Sequence, residues 1–533
     1  SNSLSSPFKK HKNNSGIISK KYDGKSGHQQ DHDTLRRKSK KHAKAIKFTN
    51  GRGSDLPIFQ HKEQLIESVR QHQTTVIIGE TGSGKSTQLP KYLAEFFTTL
   101  NEGCVVCTQP RRVAAITVAK RVATELNVEC GEEVGYAVRF DDNTTENITR
   151  IKFVTDGVLL RECMSDPNLS KYSVIILDEA HERSLNTDIL MGLLKELQQK
   201  NPKLRLVVMS ATLQSSIFMK FFLDTNLIHI EGRQYPVEIM YTKEPEIDYI
   251  DAAVRTVMHI HSSQPNGGIL VFLPGQEDIE ALMSLLKENL PQIESYESLH
   301  RNENENENGS HKKSTELLST STSSSSSKSE SAPATPHNPA TDGPIEVIAN
   351  LYDFEIRPLY ASMPPDQQLK AFAPTADPKS RKIILSTNIA ETSVTINDII
   401  YVVDTGYYKC KLLDNITGME TLKTVPVSKQ QANQRSGRAG RTGPGQCYRI
   451  YPEVVYEEHL DEEALPEIQR VSISQVVLQL KTIGVKSPQH FSYLSPPSTD
   501  SLRRAMHELL LLGALDGDNA DLTPFGNLMS KLP

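Results

Sequence analysis

From Leu56 onward, short runs of apolar residues alternate with stretches whose apolar positions recur at helical spacing. The runs Thr75–Ile78, Val105–Thr108, Ile151–Val154, Ser173–Leu177, Leu206–Met209 and Ile228–Ile230 predict strands. They are largely apolar throughout rather than alternating, so they predict a parallel sheet covered on both faces by helices. A second set starts at Gly268–Leu273 and continues through Ile356–Tyr360, Lys382–Leu385, Ile399–Val403 and Gln446–Ile450. The pattern therefore predicts an α/β chain with two parallel-sheet domains in tandem, residues 54–235 and 236–453. After Pro452 it turns helical, over Ser472–Lys481, Ser498–Leu512 and a short stretch at Leu522–Gly526. This predicts a small third domain over 454–533, still running at Pro533 as a truncated domain would be.

Two stretches lack any such pattern. Residues 1–53 are rich in Ser, Lys, Asn and His. Residues 301–344 hold the Asn/Glu alternation Asn302–Asn308 and a serine run Ser323–Ser327, with Leu317 and Leu318 as their large apolar residues. Neither can bury enough surface to offset its ordering entropy, so both are expected to be disordered. The second falls between a predicted helix, Glu277–Leu290, and a strand, where a surface loop tolerates length at small entropic cost. A phosphorylated regulatory loop is its functional alternative.

Charge changes the picture at one end only. The 533 residues carry a net charge of −5, but the first 50 hold 13 Lys/Arg against 3 Asp/Glu, a balance of +10 that leaves −15 for the rest. A detached basic arm, densest at Arg36–Lys41, suggests a nuclear address or a polyanion partner such as RNA; an idle solvated tail is the bland alternative. No apolar run approaches a membrane span, and no secretory leader stands at the N-terminus, although the chain begins at Ser1 rather than Met. The composition excludes collagen, a coiled coil and a wholly disordered chain. Six cysteines are too few for a disulfide framework at this length, which points to a reducing compartment. Cys104 and Cys107 form a CxxC, but residues three apart in a strand point to opposite faces, so they read as core.

The chemistry is carried by ordered motifs. Gly79-Glu80-Thr81-Gly82-Ser83-Gly84-Lys85-Ser86 fits the phosphate-binding loop GxxxxGK[ST], after a predicted strand and before a helix. Its glycines let successive backbone N–H groups turn toward phosphates at a helix N-terminus. Lys85 would bridge the β- and γ-phosphates and Ser86 would hold Mg²⁺. Further on, the strand Val174–Leu177 runs into Asp178-Glu179-Ala180-His181. An acid at the carboxyl end of a neighbouring parallel strand is placed to organise Mg²⁺, and Glu179 beside it can deprotonate an attacking water. The bland alternative is a charged helix start with capping acids.

Those two motifs alone predict an NTPase. Five more follow the same order: Thr108–Ala115 (Thr-Gln-Pro-Arg-Arg-Val-Ala-Ala), Thr155–Gly157 (Thr-Asp-Gly), Ser210–Thr212 (Ser-Ala-Thr), Ser386–Ile396 (Ser-Thr-Asn-Ile-Ala-Glu-Thr-Ser-Val-Thr-Ile) and Gln434–Arg441 (Gln-Arg-Ser-Gly-Arg-Ala-Gly-Arg). With the Asp-Glu-Ala-His box, the set resembles the DEAH-box RNA helicases of helicase superfamily 2, over residues 56–533. The resemblance implies two tandem RecA-like domains with ATP between them, followed by the start of a winged-helix domain entered at Leu465-Pro466-Glu467-Ile468-Gln469-Arg470.

It further implies roles residue by residue. Arg438 and Arg441 act as arginine fingers, always-charged donors to the γ-phosphate. Gln434 positions the attacking water, and His181 completes the catalytic box. Thr87 ends the phosphate loop, while Ser86, Asp178 and Glu179 form the metal set. Ser210 and Thr212 couple the pocket to domain movement. Arg121 and Phe372 sandwich the base, which accepts any base by its faces. A solvated helix face is the alternative for Arg121, and ordinary core for Phe372. Thr395 and Asn397 belong to the nucleotide-binding set; many members have Asp at the latter position, where it meets the ribose. Arg111, Arg112, Thr155 and Thr387 contact RNA sugar and phosphate without reading sequence. Asp404–Val427 matches the family's strand-separating β-hairpin.

The implied function is an ATP- and Mg²⁺-dependent 3′→5′ RNA helicase acting on RNA or ribonucleoprotein particles. It would serve splicing or ribosome biogenesis in the nucleus or nucleolus, with the cytoplasm as the alternative. An activating partner protein would bind through the C-terminal region missing from this chain. The rival readings are a DNA helicase of the same superfamily and a catalytically silent RNA-binding scaffold.

Overall fold

The computed structural model describes residues 55–80, 82–97, 103–211, 215–232, 235–289, 353–377, 379–392, 396, 398–414, 417–517 and 520–532. The basic arm, the insertion at 301–344, and Thr81, Thr212, Thr395 and Asn397 lie outside these residues.

In chain order the strands are β1 (Thr74–Gly79), β2 (Cys104–Gln109), β3 (Val134–Val138), β4 (Asp141–Asn143), β5 (Ile151–Thr155), β6 (Tyr172–Leu177), β7 (Arg205–Ser210) and β8 (Thr225–Ile230) in a first lobe. In a second lobe they are β9 (Val237–Tyr241), β10 (Gly268–Phe272), β11 (Phe354–Leu359), β12 (Arg381–Ser386), β13 (Ile399–Asp404), β14 (Tyr407–Leu413), β15 (Glu420–Pro426) and β16 (Gly445–Arg449). The first sheet has the order β4-β3-β5-β2-β6-β7-β1-β8 and is parallel except where β4 pairs with β3. The second has the order β11-β12-β10-β13-β16-β9, all parallel. Both are RecA-like sheets of the kind expected. β1 and β6 are buried along their whole length, because Val, Ile and Leu face helices on both sides.

Every strand read from the sequence is present, usually one or two residues longer. The sequence pattern missed β3, β4 and β9. β3 is interrupted by Gly135, β4 is three polar residues, and β9 is an edge strand whose residues are partly buried or exposed. Cys104 and Cys107 both lie in β2, where their thiols donate to backbone carbonyls, Cys104 to Arg150 at 3.2 Å and Cys107 to Thr108 at 3.7 Å.

The third unit contains the helices Ser474–Ile483, Thr499–Leu511 and Pro524–Met529. It shares one continuous core with the first lobe: Leu159, Leu190 and Leu194 belong to the same cluster as Ile468, Val477, Leu480 and Phe491. Close approach is possible because Gly192 has no side chain; a Cβ there would overlap the Phe491 ring and the Ser492 carbonyl. The antiparallel hairpin β14–β15 projects from the second lobe and is tied to the same unit. Arg470 donates to the Lys411 carbonyl at 3.0 Å, and Glu420 accepts the Ser472 N–H at 2.9 Å.

Candidate active site between the lobes

The phosphate loop leaves β1 and opens the helix Lys85–Phe97. Gly82 and Gly84 have φ of 91° and 93°, a conformation in which an L side chain is strained. Gly84 is additionally pressed against Leu56 and Ile58, whereas nothing lies near a Cβ at Gly82. Lys85 is folded back into the loop, donating to the carbonyls of Gly79 and Glu80, the latter at 2.8 Å. Burial lowers its pKa, opposed chiefly by the Glu179 and Asp178 carboxylates. Such a loop has an ammonium held by its own backbone carbonyls and an open glycine face, which fits phosphate oxygens.

Asp178 follows β6, but the strands beside β1, which leads into the loop, are β7 and β8, not β6 as a neighbouring-strand arrangement would require. β7 intervenes in the order β6-β7-β1 and sets Ser210 opposite Ile78. Asp178 reaches the loop regardless: the Ser86 hydroxyl bonds its carboxylate, and the Gln109 amide donates to it at 2.6 Å. Burial, with the Glu179 charge beside it, pushes the Asp178 carboxyl well above the ordinary range. The buried Asp178 carboxylate, bonded by the Ser86 hydroxyl and with the partly buried Glu179 carboxylate next to it in the chain, offers the oxygen donors a hard divalent cation takes. Ser86, Asp178 and Glu179 would hold Mg²⁺, which supplies charge neutralisation for the phosphates.

Glu179 sits in the left-handed region at φ 53°, and Arg183 beyond it at φ 49°. Each non-glycine residue there costs about 1–3 kcal/mol, which is tolerated only where the surroundings dictate the turn. They do so here through His181. Its Nδ1 accepts the Ala211 N–H at 3.2 Å, so in the neutral ring the proton sits on Nε2, which faces Glu179 Oε2 at 3.5 Å. Burial lowers the His181 pKa, favouring that neutral form. The carboxylate able to take a proton from water is thus linked through one imidazole to the Ser210-Ala211 segment.

From the second lobe, Arg438 and Arg441 enter the same space. Arg438 donates to the Glu391 carbonyl. Burial pulls both guanidiniums below their ordinary range, and Glu179 is the main opposing charge on each. Gln434, on the helix Lys429–Ser436, presents a buried amide nitrogen with no hydrogen-bond partner among the described residues. It lines an interlobe cavity of about 210 Å³ together with Arg111, His181 and Thr392.

The remaining expected residues are more dispersed. Arg121 is half-exposed and paired with Glu125 at 3.0 Å; Phe372 ends the helix Pro365–Phe372 against the second-lobe core. The helix carrying Phe372 packs on the helix Arg112–Leu126 that carries Arg121, so the fold brings the two elements together across the cleft. Thr155 and Thr387 each occupy the N-cap position of the helix that follows a strand, β5 and β12, without a side-chain bond to that helix. Arg112 is exposed. Arg111 spans the lobes, bonding Thr392 at 2.7 Å and Glu182 at 3.2 Å.

Sequence reading passed over Glu391, Asp404 and Arg435. Arg435 is fully buried and pairs with both acids at 2.7 Å. It lies between Gln434 and Arg438, so this triad anchors the segment that bears them. Its signal was available, since an acid ending the strand Ile399–Asp404 and an arginine inside Gln434–Arg441 are both polar residues at core positions.

Fold and site together define a two-lobed P-loop NTPase. Residues 59–219 match the DEAD/DEAH box helicase family, 338–443 the helicase conserved C-terminal domain, and 505–533 the winged-helix helicase associated domain (HA2). The chain belongs to the DEAH-box helicases. It is 44% identical over 478 residues to the pre-mRNA-splicing factor ATP-dependent RNA helicase prp22 of Schizosaccharomyces pombe, covering 90% of this chain and 36% of that protein. The crystal structure of the Escherichia coli DEAH/RHA helicase HrpB superposes with a TM-score of 0.71 at 30% identity, over 89% of this chain and 52% of that one. The chain thus spans about a third of the length of the curated relative.

Proposed function

We propose that this chain is an ATP-dependent RNA helicase that couples ATP hydrolysis, with Mg²⁺, to 3′→5′ movement along RNA and to remodelling of RNA or RNA–protein complexes. The observation that carries the reading is the approach of the buried Arg438 and the partly buried Arg441 of one lobe to the charge of Glu179 of the other. Hydrolysis would then require the lobes to meet, and lobes that meet and part with each nucleotide can advance along a strand. Lys85 and the loop amides hold the phosphates, Glu179 takes the proton from water, Gln434 orients it, and the two arginines stabilise the charge that develops. Ser210 and Thr212 couple the pocket to lobe movement, Arg121 and Phe372 grip the base, and Thr395 and Asn397 belong to the nucleotide-binding set. Arg111, Arg112, Thr155 and Thr387 meet the RNA backbone.

The splicing factor named above and the basic N-terminal arm support pre-mRNA splicing in the nucleus over ribosome biogenesis. Steady-state ATPase with and without RNA, and unwinding of duplexes bearing 3′ or 5′ overhangs, test the reading. RNA-stimulated turnover with a 3′-overhang preference is expected. Equal stimulation by DNA favours the DNA helicase reading, and no turnover favours the scaffold.

A further inference from the structure

Glu182 stands next to His181 in the turn that carries the catalytic box, and no step of hydrolysis falls to it. Its carboxylate accepts a hydrogen bond from the Thr392 hydroxyl of the second lobe and lies 3.2 Å from the Arg111 guanidinium. Arg111 in turn donates to Thr392 Oγ1 at 2.7 Å and to the Asn388 carbonyl at 3.4 Å. The three side chains form a knot across the cleft. The Arg111 and Glu182 side chains are only 22% and 18% exposed, so solvent screens their attraction less than that of a surface pair.

The knot touches the catalytic parts on both sides. In the first lobe it is one residue from His181 and three from Glu179. In the second, Thr392 follows Glu391, whose carboxylate holds Arg435 and whose carbonyl accepts Arg438. A guanidinium already occupied by a carboxylate resists a second anion, because the two anions repel at contact distance.

We propose that Glu182 is a positioning residue that stands in for the RNA backbone. Without RNA its carboxylate occupies Arg111 and Thr392; a phosphate arriving at Arg111 displaces it. The displacement frees the turn beside His181 and the segment beside Glu391 together, which gives RNA a short route to the residues that hydrolyse ATP. This inference rests on the reading that Arg111 meets RNA.

Glu182→Gln keeps an acceptor for Thr392 and removes the competing charge. The Kd for a fluorescein-labelled single-stranded RNA, measured by anisotropy on the full chain, is expected to fall about three- to tenfold. The same substitution in an Arg111→Ala background is expected to leave Kd unmoved, whereas a merely structural role would shift both backgrounds alike. If Glu182→Gln does not fold, Glu182→Asp, which withdraws the charge by one methylene, should lower Kd in the same direction by a smaller factor. An unchanged Kd in these variants, or an equal shift with and without Arg111, overturns the proposal while RNA-stimulated ATPase in the wild type keeps the helicase reading. A wild-type ATPase indifferent to RNA overturns both.

Discussion

Arg435 and Asp404, both wholly buried in the second lobe, form an ion pair of 2.7 Å, and Glu391 closes on the same guanidinium from the other side. Burial opposes the charge on Arg435, but the two carboxylates outweigh it and raise its pKa. Arg435→Ala would leave two buried carboxylates without a cation, and removing one partner of a buried pair costs about 3–5 kcal/mol. The urea midpoint of the chain should fall accordingly, and ATPase should fall with it because Arg438 loses its anchored segment. A midpoint within error of wild type would show that the triad is not structural.

Glu179→Gln removes the proton acceptor and leaves the phosphate loop intact. Turnover should drop by about 10²–10⁴, the usual contribution of a positioned base. The Kd for ATP should stay close to wild type. An unchanged kcat would assign proton removal to another group.

Base choice follows from the packing of the Phe372 helix on the Arg121 helix. A site that grips only the faces of a base tests no ring-edge donor or acceptor. GTP, CTP and UTP should therefore support kcat/KM within about tenfold of ATP, a spread of roughly 1.4 kcal/mol. Phe372→Ala should lower all four values by similar factors, since stacking is worth about 1–3 kcal/mol for any base. A strong preference for ATP, or no response to Phe372→Ala, would place the base elsewhere.

Gly192→Val probes the docking of the third unit. Its side chain would enter the space of Phe491 and Ser492, on the helix Leu185–Lys200 that follows the catalytic turn. Overpacking of this kind costs about 1–3 kcal/mol. Faster amide exchange should appear in residues 474–529 while β1 and β6 stay protected. Uniform loss of protection would mean the unit and the first lobe unfold together.

Deleting residues 303–342 should leave RNA-stimulated ATPase nearly unchanged, because that stretch is too poor in apolar residues to contribute core. Loss of soluble, folded chain on deletion would show otherwise.

The strands and the phosphate loop were legible in the sequence because their causes are local. A run such as Val76-Ile77-Ile78 must be buried wherever it goes, and Gly82 and Gly84 announce a backbone that side chains would strain. Asp178-Glu179-Ala180-His181 was legible for the same reason, being a polar group at the end of an apolar strand. Strand order was not. That β7 lies between β1 and β6, setting Ser210 opposite Ile78, is decided by which parallel crossovers pack together, and the sequence of each strand is compatible with several neighbours. Nor did the sequence show that Arg435 is held by Glu391 and Asp404, residues 44 and 31 positions away along the chain. Pairing between distant charges depends on the assembled lobe. The sequence likewise left open which lobe the third unit covers: α-helical amphipathicity demands some apolar partner, and the assembled core supplies it from the first lobe, where the gap left by Gly192 admits Phe491.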